Sequence, residues 1–309
     1  MNIIAGFLVF QKVFAFSLFR DGLEHFNSGD LNRAEKSVSN SLDLSSNDFF
    51  YRTLSEIYLE QILRIATSGE NSDRLDGLIT SAVGSADLAI SYNPLNHENW
   101  LQRAVVLKTL SIFGVQNTSG LADSAFDKAS ELDPQNPFID LVRARLEAES
   151  GSLENSKQYV LRAISKKPNY GSAILFRSQL ESSEGKLKEA ISSILQTISI
   201  EPQNPFLYFQ LGLLYYHDKD FLNSSIAFES ATRLDPQYAN AKYFLGLSLS
   251  ELGQNEQASA IFGDLLKDYP GNEELKNILE NLMSGREPLF DSPSEVLPEE
   301  REDLPIEEE

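Results

Sequence analysis

Five prolines, Pro134, Pro168, Pro202, Pro236 and Pro270, stand 34 residues apart in an unbroken row, and Pro94 lies 40 residues before the first of them. Proline fixes its own φ and has no N–H to donate, so it punctuates regular structure wherever it recurs. Recurrence at a fixed period of this size points to stacked supersecondary units, each burying its apolar face against the next. The heptapeptide LDPQNPF at 132–138 accordingly returns as IEPQNPF at 200–206, two periods later.

One unit, residues 205–238, shows what is being repeated. Phe206, Phe209, Leu213 and Tyr216 fall on one helical stripe and Tyr208, Leu211 and Tyr215 on another. Beyond the DKD at 218–220, Ile226, Phe228, Ala231 and Leu234 repeat the helical spacing. Two helices of about a dozen residues joined by a short turn account for this pattern. Asn204 is placed to cap the first helix with its side-chain oxygen, and Pro205 sits at the first helical position, where a missing N–H costs nothing. Pro236 stops the second helix. The QNPF motif is a helix stop and a helix start fused into one connector.

The unit resembles the tetratricopeptide repeat. Counting each repeat from 1 with the proline at 32, that family favours a bulky residue at 4, Leu-Gly at 7 and 8, an aromatic at 11, small residues at 20 and 27, and a bulky one at 24. The 205 repeat supplies Tyr208, Leu211, Gly212, Tyr215, Ser224, Phe228, Ala231 and Pro236. The repeat from Ala239 supplies Leu245, Gly246, Ala258, Phe262 and Pro270, with Gly253 at the inter-helix turn. The repeats from Pro137 and Gly171 keep Gly151, Ser156, Ala163 and Pro168, and Gly185, Ala190 and Pro202. The resemblance implies an all-α fold: a right-handed superhelical solenoid of helix-turn-helix repeats closed by a C-terminal capping helix.

The expected organisation is an apolar lead at 1–14, then repeats at 15–48, 49–96, 97–136, 137–170, 171–204, 205–238 and 239–272, the second and third enlarged. A capping helix follows at 273–283, and then a disordered tail at 284–309. That tail has four prolines and ten acidic residues against Arg286 and Arg301, a composition that cannot build a core. Residues 3–19, IIAGFLVFQKVFAFSLF, are read in two ways, as an extension of the first helix or as the trailing end of a membrane span. The order of features also looks like the C-terminal repeat region of bacterial membrane proteins related to O-antigen ligases and polymerases. On that resemblance the chain would be bacterial, membrane-associated or cytoplasmic.

Composition narrows the functions. The 309 residues are 41% apolar and carry a net charge of −20, which opposes nucleic-acid binding, a process that draws on clustered Lys and Arg. Cysteine is absent, removing thiolate chemistry and disulfides. His25, His97 and His217 fall in different repeats, and no HExxH, GxGxxG, GxSxG or phosphate-loop pattern occurs. The expectation is a non-catalytic scaffold with no cofactor and no metal, binding a protein or peptide partner. The alternative is the partner-binding C-terminal region of an O-antigen ligase-like enzyme whose catalytic part is elsewhere.

In tetratricopeptide proteins the first helix of each repeat lines a concave groove through positions 2, 5, 9, 12 and 13. Here these positions give Phe206, Phe209, Leu213, Tyr216 and His217, then Asn240 and Tyr243 in the next repeat. The Lys, Arg and Asn pattern of the carboxylate-gripping subfamily is absent. The expected ligand is an extended or helical peptide with apolar anchors, with Asn240 meeting its backbone. A second candidate is a column of Arg103, Arg143 and Arg177 at position 7, read either as an anion site or as residues paired along their helices, with Glu147 and Glu181 four residues after the latter two.

Overall fold

The computed structural model describes residues 2–68, 73–290 and 305–306. Among these residues the chain forms fifteen α-helices and no strand. Two compact units are formed, Met1–Lys166 and Lys167–Glu309.

The first unit contains α1 (Asn2–Asn27), α2 (Leu31–Leu44), α3 (Asp48–Ser68), α4 (Leu75–Tyr92), α5 (His97–Ile112), α6 (Ser119–Leu132), α7 (Pro137–Glu149) and α8 (Leu153–Lys166). They pair antiparallel as α1 with α2, α3 with α4, α5 with α6 and α7 with α8, and each pair packs on the next. The second unit continues the pattern with α9 (Gly171–Ser183), α10 (Leu187–Ile200), α11 (Pro205–His217), α12 (Phe221–Leu234), α13 (Ala239–Glu251), α14 (Asn255–Asp268) and α15 (Glu273–Met283). Its pairs are α9 with α10, α11 with α12 and α13 with α14, and α15 lies on α14. From α7 to α14 the helices alternate between 13 and 14 residues, whereas α3 and α4 reach 21 and 18.

Local chemistry sets the boundaries. Asn96, Asn136 and Asn204 each accept a hydrogen bond from the backbone N–H two residues on, at the starts of α5, α7 and α11. Asn272 accepts from the N–H three residues on, that of Leu275, at the start of α15. These side chains satisfy donors that a helix start leaves without partners. Gly253 turns the chain from α13 into α14 at φ +75°, the left-handed conformation in which a Cβ is penalised.

Packing explains the Leu-Gly of the repeat. A Cβ on Gly212 would lie 2.5 Å from the ring of Phe228, and one on Gly246 would lie 2.7 Å from the ring of Phe262. Each glycine lets an aromatic from the partner helix press onto helix backbone. At the equivalent places Ala104 and Ala144 are fully buried and Ser178 nearly so. In the second unit one core cluster contains Phe209, Phe228, Tyr243, Phe244 and Phe262, and another joins Ile194, Leu211 and Leu214.

The expectation about the tail needs correction, whereas the apolar lead forms the start of the first helix, α1. Among the described residues no helix is long and apolar enough to cross a membrane. The helix holding the run at 3–19 continues through Arg20, Asp21 and Glu24. One side of it is buried: Phe19 stacks on Phe50 at 4.3 Å and Phe16 meets the same ring edge-on at 5.2 Å. Val9, Phe10, Val13 and Phe14 are exposed. At the other end, most of the tail expected to be disordered lies outside the described residues, but Pro305 and Ile306 are packed. Ile306 is 2% exposed and belongs to the aromatic core cluster of the second unit. Its aliphatic side chain, set among acids in the sequence, fills an apolar site of that cluster.

Candidate functional site

The groove-side helices of the second unit place one polar side chain where none would be left without partners. Asn240, in the first turn of α13, is 2% exposed. Its Nδ2 donates to the carbonyl of Ile306 at 2.8 Å, and its Oδ1 accepts the N–H of the same residue at 3.0 Å. An asparagine amide offers a donor and an acceptor side by side. It can meet both groups of one residue only when they point the same way, as in a strand.

A second asparagine continues the contact. Asn272 caps α15 with its oxygen, leaving its amide nitrogen to donate to the carbonyl of Pro305 at 3.2 Å. Three backbone groups of Pro305–Ile306 are thus held by two side chains, one from α13 and one at the start of α15. Tyr243, one turn beyond Asn240, donates its hydroxyl to Glu274 at 2.5 Å, tying α13 to α15 beneath the segment. Asn281 donates to the carbonyl of Pro288 at 3.1 Å, fastening the chain where it leaves α15.

The residues expected to bind a partner divide into four groups. Asn240 holds the backbone of Ile306 of its own chain. Leu213 and His217 line an open cleft of about 490 Å³ between α9 and α11, with Ser178, Gln179 and Gln210. Phe206 is 40% exposed, and Tyr216 is half-buried with its ring edge-on to Phe221 and Phe244. Phe209 and Tyr243 are the correction: at 1% and 0% exposure they are core residues, not groove anchors. Phe209 packs on Phe228, Tyr238 and Phe244, and Tyr243 on Phe244 and Phe262. Repeat position 5 turns under the neighbouring helix here because the position-24 aromatics Phe228 and Phe262 complete a ring cluster around it.

The arginines are engaged by acids and amides. Arg103 meets Asp87 at 2.6 Å. Arg143 meets Asp123 and Asp127, both at 2.8 Å, and lies over the ring of Tyr159 at 4.3 Å. Burial pulls the Arg143 guanidinium down, but the Asp127 hydrogen bond and the surrounding negative charge outweigh it and hold its pKa above the ordinary arginine value. Glu147 does not pair with Arg143, as its spacing suggested. It forms a nearly sealed ion pair with Lys108 of α5 at 2.8 Å. Arg177 does meet Glu181, at 3.5 Å, and also bonds to Ser193 and Gln196. Such pairing leaves little charge for an external anion.

Among the described residues no group of His, Cys, Asp or Glu is arranged to hold a metal ion. Sequence reasoning missed Asn272, Glu274 and Ile306. Asn272 carried a signal, since it stands at the connector position occupied by capping asparagines in other repeats. Ile306 carried a weaker one, as an aliphatic residue set in an acidic run.

Comparison with known proteins agrees with the repeat reading. Two family models described as tetratricopeptide repeat match residues 227–282 and 207–238. No curated protein sequence matches the chain. Among solved structures, PilW, described as a widely conserved type IV pilus biogenesis factor, is similar at 18% identity and a TM-score of 0.51, covering 73% of this chain and 98% of its own. The pilF protein of Pseudomonas aeruginosa is similar at 15% identity and a TM-score of 0.50, covering 75% of this chain and 97% of its own. These likenesses show a shared fold of tetratricopeptide type. The resemblance to O-antigen ligase-related membrane proteins finds no support in them.

Proposed function

We propose that this chain is a non-catalytic repeat scaffold that binds a protein partner through a short peptide segment on its second unit. Tetratricopeptide folds generally mediate protein–protein interaction, and the finer reading rests on one observation: the paired hydrogen bonds from Asn240 to the backbone of Ile306. A buried asparagine spent on backbone recognition accepts many sequences, while an apolar site beside it selects among them. The cleft bordered by Leu213 and His217 lies on the first helices of two adjacent repeats in the same unit, giving a longer ligand further room.

The test compares partner recovery by the full chain and two variants under identical conditions. Asn240→Ala is expected to lose the specific partner, and Asn223→Ala, an exposed asparagine on α12, is expected to retain it. Equal recovery by both variants would place the binding surface elsewhere.

A further inference from the structure

Asn240 and Asn272 hold part of this same chain, and the chemistry of what they hold defines what else can enter. The site takes two successive carbonyls and one N–H: the carbonyl of Pro305 on Asn272, and both groups of Ile306 on Asn240. No donor is asked of the first residue, so proline fits there without leaving a group unpaired, and its fixed φ lowers the entropy lost on docking. The second residue must offer an N–H and so cannot be proline. Its side chain is almost wholly removed from solvent among apolar neighbours, where an aliphatic group gains and a charged one would be strongly disfavoured.

We infer that Asn240 and Asn272 form a clasp for a proline–aliphatic dipeptide in a non-helical segment, and that Pro305–Ile306 is its built-in occupant, which a partner bearing the same dipeptide must displace. This rests on the reading of the second unit as a peptide-binding surface and adds both the ligand class and its control. The occupant is intramolecular. Phe290, the last described residue before the segment, is followed by fourteen residues before Pro305. At ~3.3 Å per residue these reach far more than the width of a few helices. A tether of this length gives the tail an effective concentration of about millimolar against a free competitor.

The test uses the full chain and a fluorescein-labelled peptide of residues 300–309, EREDLPIEEE. Its affinity is measured for the wild type, for Ile306→Glu, and for Ile306→Glu combined with Asn240→Ala. The wild type is expected to bind weakly, Ile306→Glu about tenfold or more tightly, and the double variant not detectably. A control peptide with Glu in place of the isoleucine is expected not to bind. Equal affinity of wild type and Ile306→Glu would overturn tail occupancy while leaving a peptide site. No binding to either at millimolar peptide would overturn the clasp itself. A wild-type dimer that Ile306→Glu converts to monomer would replace the intramolecular occupant by exchange between copies. If Ile306→Glu fails to fold, the amide exchange of Ile306 in the wild type decides: protection is expected, and exchange at the rate of a free peptide would overturn the assignment.

Discussion

The ring of Phe262 fills the space that a Cβ on residue 246 would need, its nearest carbons 2.7 Å from that point. The two residues come from the two helices of one repeat and are both buried. Gly246→Ala therefore gains intrinsic helix propensity, worth ~1 kcal/mol, and loses more by overpacking, typically ~1–3 kcal/mol. A net destabilisation is expected in urea unfolding. Combining it with Phe262→Leu should give less than the sum of the two losses, because the smaller side chain relieves the contact.

Lys219 occupies a glycine's place. It turns α11 into α12 at φ +59°, where Gly151, Gly185 and Gly253 make the equivalent turns at φ +79°, +73° and +75°. A left-handed conformation costs a β-carbon residue ~1–2 kcal/mol, partly offset by the greater unfolded-state freedom of glycine. Lys219→Gly is expected to stabilise the second unit by about 0.5–1 kcal/mol, read as a rise in the thermal midpoint. A fall would show that the lysine side chain compensates for its backbone.

Such comparisons also show how far the sequence could be read. The helix pairs were legible because each connector is coded locally, by an asparagine cap, a proline and a turn residue whose effects do not depend on distant partners. The burial of Phe209 and Tyr243 was not. Periodicity places them on the groove stripe, and only the convergence of Phe228, Phe244 and Phe262 from other turns draws them inward. Glu147 shows the same limit: its spacing suits Arg143, but a lysine 39 residues earlier reaches it first. The seating of Ile306 depends on a contact 66 residues away, which no periodic pattern announces.

The Lys108–Glu147 pair is nearly sealed from solvent, with side chains 8% and 5% exposed. Removing one partner of a buried pair strands the other charge, at a cost of ~3–5 kcal/mol. Glu147→Leu is expected to show a loss of that order in chemical denaturation. Lys108→Met with Glu147→Leu should recover most of it, since an apolar pair of similar volume often replaces a buried ion pair without loss.

Acid should act on the first unit through Asp48. Burial pushes its carboxyl up, but hydrogen bonds from Asn96, Asn99 and Asn93 together outweigh this and hold it below its usual value. The folded state therefore binds the proton less readily than the unfolded chain. The resulting stability is present above the ordinary carboxylate pKa of about 3.9 and is lost as the pH falls through the lower folded value. Asp48→Asn should flatten that part of the stability–pH curve between about pH 5 and pH 2, with no change in slope near neutrality. An unchanged acid limb would remove Asp48 from the account.

Inorganic phosphate tests the arginines. With Arg103 on Asp87 and Arg143 on Asp123 and Asp127, millimolar phosphate is expected to leave the melting temperature unchanged relative to chloride at equal ionic strength. A rise would mean that the anion binds the native state preferentially and that the pairs open to receive it.

Stacks whose units touch only their neighbours come apart from an end, one helix after another. Asn240 and Ile306 alter that order here. Their contact joins residues 66 apart and closes a ring of chain that contains α14 and α15, with the N-cap of α15 held by Asn272 to the same segment. The last helices therefore cannot fray singly while the ring is shut. Their amides should exchange with solvent as one cooperative group, gated by the release of Pro305–Ile306. Occupancy of the clasp would then be readable as the breathing of two whole helices rather than of the bound segment alone.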